Sequence, residues 1–142
     1  MYTLNRAHLL AEPVVAAVTA RDQLLARLRD HIKQWPVAAV HTSLFGSTSR
    51  GEAGPESDLD VMVVRPDHVD AADPAWTGQL AELEEMVVRW AGNHLAWFET
   101  DRTGLARGIR EAEPVLGAVL SEGIHLTGAR LAMLIRGVAV ER

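Results

Sequence analysis

Asp58 and Asp60 stand two residues apart where an apolar, β-branched run begins: Leu59, Val61, Met62, Val63, Val64. Side chains two apart on a strand share a face, so both carboxylates project together. Carboxylates held this close raise one another's pKa unless a cation lies between them. Hard oxygen donors at one point suit Mg²⁺ or Mn²⁺, which takes one or two carboxylates and fills its shell with water and substrate phosphates. Upstream, with ten residues intervening, Gly46-Ser47 closes another apolar run. A glycine lets backbone N–H groups approach an anion because no Cβ intervenes, and the Ser47 hydroxyl adds a donor. A helical turn starting there would aim its positive end at the same place. Arg50 offers a guanidinium matched to phosphate geometry. These residues describe a phosphate cradle facing a dicarboxylate metal site, which is equipment for phosphoryl or nucleotidyl transfer. The ATP-binding P-loop is excluded, because Gly51 precedes Glu52 rather than Lys and then Ser or Thr.

The elements that must position these groups follow from apolar spacing and punctuation. Pro13 suits a first helical turn. Val14, Val18, Leu25, Leu28 and Ile32 then mark one face of a helix over 13–34, stopped by Pro36. A strand over 37–45 ends at Gly46, a glycine-rich loop covers 46–56, and a second strand covers 58–64. Asp73 and Pro74 make an N-cap and first position for a helix with the stripe Leu80, Leu83, Val87 and Trp90, ended by Gly92. A third strand is predicted over 94–100, helices over 103–111 and 114–122, a short strand over 124–127 and a last helix over 129–136. Strands alternating with helices give an α/β (α+β) sandwich. No repeat or linker divides the chain, so 1–142 reads as one domain: an N-terminal helix over 13–34, a core over 37–101 and a helical part over 102–142.

The spacing Gly-Ser, ten residues, Asp-x-Asp resembles the signature of minimal nucleotidyltransferases in the DNA polymerase β-like superfamily. Their usual pattern is Gly-Ser-x-Ala-Arg-Gly, a short loop, then Ser-Asp-x-Asp. This chain matches at Gly46, Ser47, Arg50, Gly51, Ser57, Asp58 and Asp60, with Ser49 where Ala is usual. The resemblance implies a polymerase β-like nucleotidyltransferase fold, a small mixed β-sheet flanked by helices. It implies Mg²⁺-dependent (or Mn²⁺-dependent) transfer of a nucleoside monophosphate from an NTP, expected to be ATP, to an acceptor hydroxyl with release of pyrophosphate. Gly46, Ser47 and Arg50 would hold the triphosphate, and Asp58 and Asp60 the metal. The pattern also implies a third carboxylate on a neighbouring strand. Glu99 is the expected residue, because a charge within an apolar strand after Trp97-Phe98 needs a partner. Asp101, on the same face, is the alternative and could instead cap the next helix. Acceptors in similar proteins include a toxin tyrosine, an RNA end and a small antibiotic, so a nucleotide and a toxin-like protein are the implied partners. The competing reading is a non-catalytic nucleotide-binding regulatory or antitoxin-like module. A looser resemblance, through Tyr2-Thr-Leu-Asn-Arg and Trp90-Ala-Gly-Asn-His, is to actinobacterial nucleotidyltransferase-domain proteins.

Composition excludes several other classes. A net charge of −5 and a pI near 5.6 argue against a grip on duplex DNA. Zero cysteines remove thiolate zinc sites and Cys nucleophiles. Lys33 is the sole lysine, so no mechanism needing a second one applies. No uninterrupted apolar run approaches the ~18 residues of a membrane span, and a cytoplasmic location is expected. The histidines show no metal-ligand spacing, and Trp35, Trp76, Trp90 and Trp97 read as packing residues.

Overall fold

The computed structural model describes residues 11–46 and 58–140, with side chains over 20–46 and 58–138. Four strands, β1 (His41–Phe45), β2 (Leu59–Val64), β3 (Leu95–Thr100) and β4 (Ile124–Gly128), form one sheet in the order β3-β2-β1-β4. β1 runs antiparallel to β2 and β4, and β2 runs parallel to β3, so the sheet is mixed as expected. Alternation along β2 sorts its two faces. Leu59, Val61 and Val63 join Leu25, Leu28 and Ile32 of α1 (Ala11–Lys33) and Trp76, Leu80, Leu83 and Val87 of α2 (Pro74–Ala91). Met62 and Val64 join Leu105 of α3 (Arg102–Arg110), Leu116 and Val119 of α4 (Pro114–Glu122), and Leu131 and Leu134 of α5 (Leu131–Val140). Helices on both faces explain why β2 reads as a nearly continuous apolar run. The stripe residues predicted for α1 and α2 are therefore core residues, while the Val14 and Val18 side chains lie outside the described ones.

Local chemistry sets the element ends. Asp73 accepts from the Ala75 and Trp76 N–H groups to cap α2, and Gly92, with φ of 72°, closes it. The strand predicted from residue 37 begins only at His41. Val37 donates to Gln79 Oε1 at 3.2 Å and accepts from Gln79 Nε2 at 2.8 Å, so a buried side-chain amide takes the place of a ladder partner. The helix predicted from residue 129 begins at Leu131, because Ala129 is engaged elsewhere. Its N–H donates to the Val40 carbonyl at 2.9 Å, and its carbonyl accepts from His41. Trp35 packs edge-on to Trp76 and against Trp97 at 6.0 and 6.1 Å between ring centres, a packing role. Among the described residues no helix is long and apolar enough to cross a membrane.

His41 ties β1 to the turn between β4 and α5 and is only 1% exposed. A carbonyl can only accept, so Nδ1–H donates to Ala129 at 2.6 Å, and Nε2 is left to accept from the Ser43 hydroxyl at 2.9 Å. Burial holds His41 below the ordinary histidine range, the Ala129 bond opposes this, and neighbouring His125 adds to it. His125 is lowered by burial and by the charges of Arg130 and Arg29. Both folded values lie below the unfolded one, so the unfolded chain binds more protons in the window between them. This contribution to stability is complete above about pH 6.5 and is lost as pH falls through the folded values. The urea midpoint should drop between about pH 7.5 and 5.5, and His41→Asn should flatten the drop. An unchanged slope in His41→Asn would remove this assignment.

Candidate active site

The antiparallel ladder pairs Phe45 with Asp60, which delivers the next residue, Gly46, to the carboxylate end of β2. Gly46 has φ of 77°, a left-handed conformation that costs other residues. A Cβ there would also collide with the Asp60 carboxylate. Two independent constraints thus require glycine, and the result is bare backbone lying against an acidic side chain. The two halves of the sequence motif meet at this point. Ser47, Arg50, Gly51 and Ser57 lie outside the described residues.

Asp60 is half-buried and Asp58 is exposed at the mouth of the strand. Burial, and then the charge of Asp58, push the Asp60 carboxyl above the ordinary aspartate range. Two oxygen-donor groups that repel each other are the donor set a hard divalent cation relieves, so these residues fit the metal that the motif implies. Among the described residues no group of three or more His, Asp or Glu is placed to hold a metal. Mg²⁺ and Mn²⁺ commonly take one or two carboxylates and complete their shell with water and substrate phosphates, which two aspartates suit.

The structure does not bring Glu99 to this pair. In the parallel β2–β3 ladder Asp60 is level with Ala96, and Glu99 is level with Val63. The odd offset turns Glu99 to the sheet face that carries Val63 and Trp76, opposite the face of Asp60 and Met62. Its carboxylate has other partners: Oε2 accepts from Arg65 Nε at 3.1 Å and from Trp76 Nε1 at 3.2 Å. Glu99 is exposed on the edge strand β3, and these two partners are structural. Asp101 caps α3 by accepting from the Gly104 N–H at 2.7 Å, and it faces Arg65 Nη2 at 3.5 Å. Neither candidate for a third carboxylate joins Asp58 and Asp60. Sequence reasoning missed Arg65, the hub of this network, which also donates to the Val69 carbonyl. Its only signal was a charge immediately after a buried strand.

The sequence matches the nucleotidyltransferase domain family over residues 25–113, a span that holds Gly46, Asp58 and Asp60. No curated protein matches it. A toxin–antitoxin complex crystallised with AMP-PNP is similar in fold, with a TM-score of 0.53 and 18% identity, covering 82% of this chain and 85% of that one. The complex of the tri-AMPylated Shewanella oneidensis HEPN toxin with an MNT antitoxin aligns with a TM-score of 0.45 and 19% identity, covering 88% and 85%.

The two carboxylates should respond oppositely to neutralisation. The folded pKa of Asp60 is raised, so the folded state holds its proton more tightly, and ionisation at neutral pH costs stability. Asp60→Asn should therefore raise the melting temperature of the metal-free protein at neutral pH. Glu99→Ala removes the acceptor for Arg65 and Trp76 and should cost about 1–3 kcal/mol. Calorimetric melting of both variants checks the pair of signs, and a stabilising Glu99→Ala would contradict the network.

Proposed function

Because the chain belongs to the nucleotidyltransferase domain family, we propose that it moves a nucleoside monophosphate from ATP to an acceptor hydroxyl and releases pyrophosphate. The observation that carries this reading is the apposition of the left-handed Gly46 backbone to the Asp60 carboxylate. A position without a Cβ lets phosphate oxygens come close to the chain, and the adjacent carboxylates would supply ligands for a cation that accompanies the triphosphate. Gly46 would bind the triphosphate through its backbone, with Ser47 and Arg50 assigned to the same task from the motif. Asp58 and Asp60 would hold Mg²⁺ or Mn²⁺, which when bound supplies charge neutralisation and polarisation at the α-phosphate. The acceptor oxygen forms a bond to the α-phosphorus as the bridging oxygen of pyrophosphate leaves in line, and the acceptor proton passes to solvent. These residues contribute by holding the triphosphate fixed while the acceptor approaches. A hydroxyl on a protein partner is the acceptor class we favour, because the motif resembles that of minimal nucleotidyltransferases and the fold resembles a toxin–antitoxin protein crystallised with AMP-PNP.

One observation favours a second reading, a nucleotide-binding module without transfer activity. Ala96 occupies the position level with Asp60, and Glu99 is committed to Arg65 and Trp76 on the other face. Two carboxylates suffice to bind a metal–nucleotide complex, whereas transfer also has to accommodate the proton of the acceptor.

Calorimetry should show ATP binding that weakens strongly in EDTA, since clustered carboxylates repel an unscreened triphosphate. Equal affinity with and without divalent metal would overturn the metal-bridged site. Incubation with α-labelled ATP and a bacterial lysate should place label on an acceptor, and Asp60→Asn should reduce labelling about 10²-fold or more. Metal-dependent binding with no labelled product would select the non-catalytic module.

A further inference from the structure

A cleft of about 160 Å³ opens one strand away from the site above, over β1 and β4. A register shift between Thr42 and Ser43 sets Ser43 beside His125 on its floor. His41 and Ser43, 1% and 2% exposed, bond to each other, and His41 also donates to the Ala129 carbonyl, so they close the floor. The walls are apolar, made by Val119 and Leu120 of α4 and by Leu131 at the start of α5. Leu120 is 52% exposed, an apolar side chain left at the rim.

The charge of the cleft is one-sided. Among the described residues Arg130, itself exposed, lines it, no Asp or Glu does, and Arg130 makes no ion pair. Arg29 adds positive charge nearby, donating to the His125 carbonyl at 2.9 Å. In a chain of net charge −5, this is a locally cationic recess with hydrophobic walls. The residues described for the nucleotide site take no part in it.

We propose that this cleft binds a small organic monocarboxylate, with its carboxylate on Arg130 and its apolar body between Leu120 and Leu131. A planar guanidinium pairs with a carboxylate through two parallel hydrogen bonds. The His125 imidazole beside it serves as a further polar contact. One lining guanidinium balances one negative charge, whereas a phosphate dianion would leave the apolar walls facing its hydration shell. The volume is close to that of an engineered cavity that accepts benzene, which sets the ligand at roughly benzene size.

Benzoate and isovalerate are suitable probes for the intact chain, measured by calorimetry and by histidine side-chain NMR against chloride and inorganic phosphate at matched ionic strength. Benzoate should bind with Kd of about 1 mM or tighter and shift the His125 resonances. Arg130→Gln should weaken binding at least tenfold. Leu120→Glu, which places a competing carboxylate at an exposed rim position, should weaken it comparably with an unchanged circular dichroism spectrum. Benzoate heats no larger than those of chloride, or affinity untouched by both substitutions, would overturn the site. Phosphate binding tighter than benzoate would overturn the choice of ligand.

Discussion

The pairing of Phe45 with Asp60 decides which groups can meet at the head of the sheet. A slip of one residue in that ladder would turn Asp60 toward the packed layer of α1 and α2 and carry Val61 to the other side. The antiparallel ladder from His41–Val64 to Phe45–Asp60 holds the register against such a slip. Across that pair Val40 donates to the Val64 carbonyl, while on the other side of β1 the Ala129 N–H on the Val40 carbonyl and the Thr42–Thr127 hydroxyl bond at 2.6 Å hold β4 in place. Burial of β2 on both faces adds a penalty for any alternative, since each slipped side chain would lose its packed pocket.

β2 is electrically different at its two ends. At its start, Asp58 and Asp60 repel each other, and Asp60 resists ionisation. Just beyond its end, Arg65 gathers Glu99, Asp101 and the Val69 carbonyl, and Glu99 also takes the Trp76 indole N–H. The satisfied network fastens the loop after β2 to β3 and α2. It helps offset the unfavourable charge at the opposite end, which a bound cation and triphosphate would relieve. A site that is destabilising when empty and stabilised when filled is what binding residues commonly impose on a fold.

The order of elements and most of their limits could be read from the chain alone. Asp73, Pro74 and Gly92 are caps whose chemistry is local, and the apolar stripe of α2 follows helical geometry without reference to any partner. The two halves of the motif were legible because glycine before serine and aspartates two apart carry their meaning over a few residues. The start of β1 was not legible. Residue 37 has strand composition, yet its backbone groups bond to Gln79, 42 positions away, and no local pattern encodes that pairing.

Glu99 shows the same boundary at the site itself. Its place after Trp97-Phe98 raised the expectation of a partner, and the period of two said that it shares a face with Trp97 and Asp101. Which face of the sheet that is, and which residue of β2 lies level with it, depends on how two strands joined by a long helical crossover align. The parallel register sets Ala96 beside Asp60 and Glu99 beside Val63. Composition, caps, the motif and the faces of single elements were determined by the sequence itself, because covalent geometry fixes the periods of helix and strand. The third carboxylate's absence from the described site was decided by tertiary structure, because inter-strand register is chosen by the packing of the whole sheet.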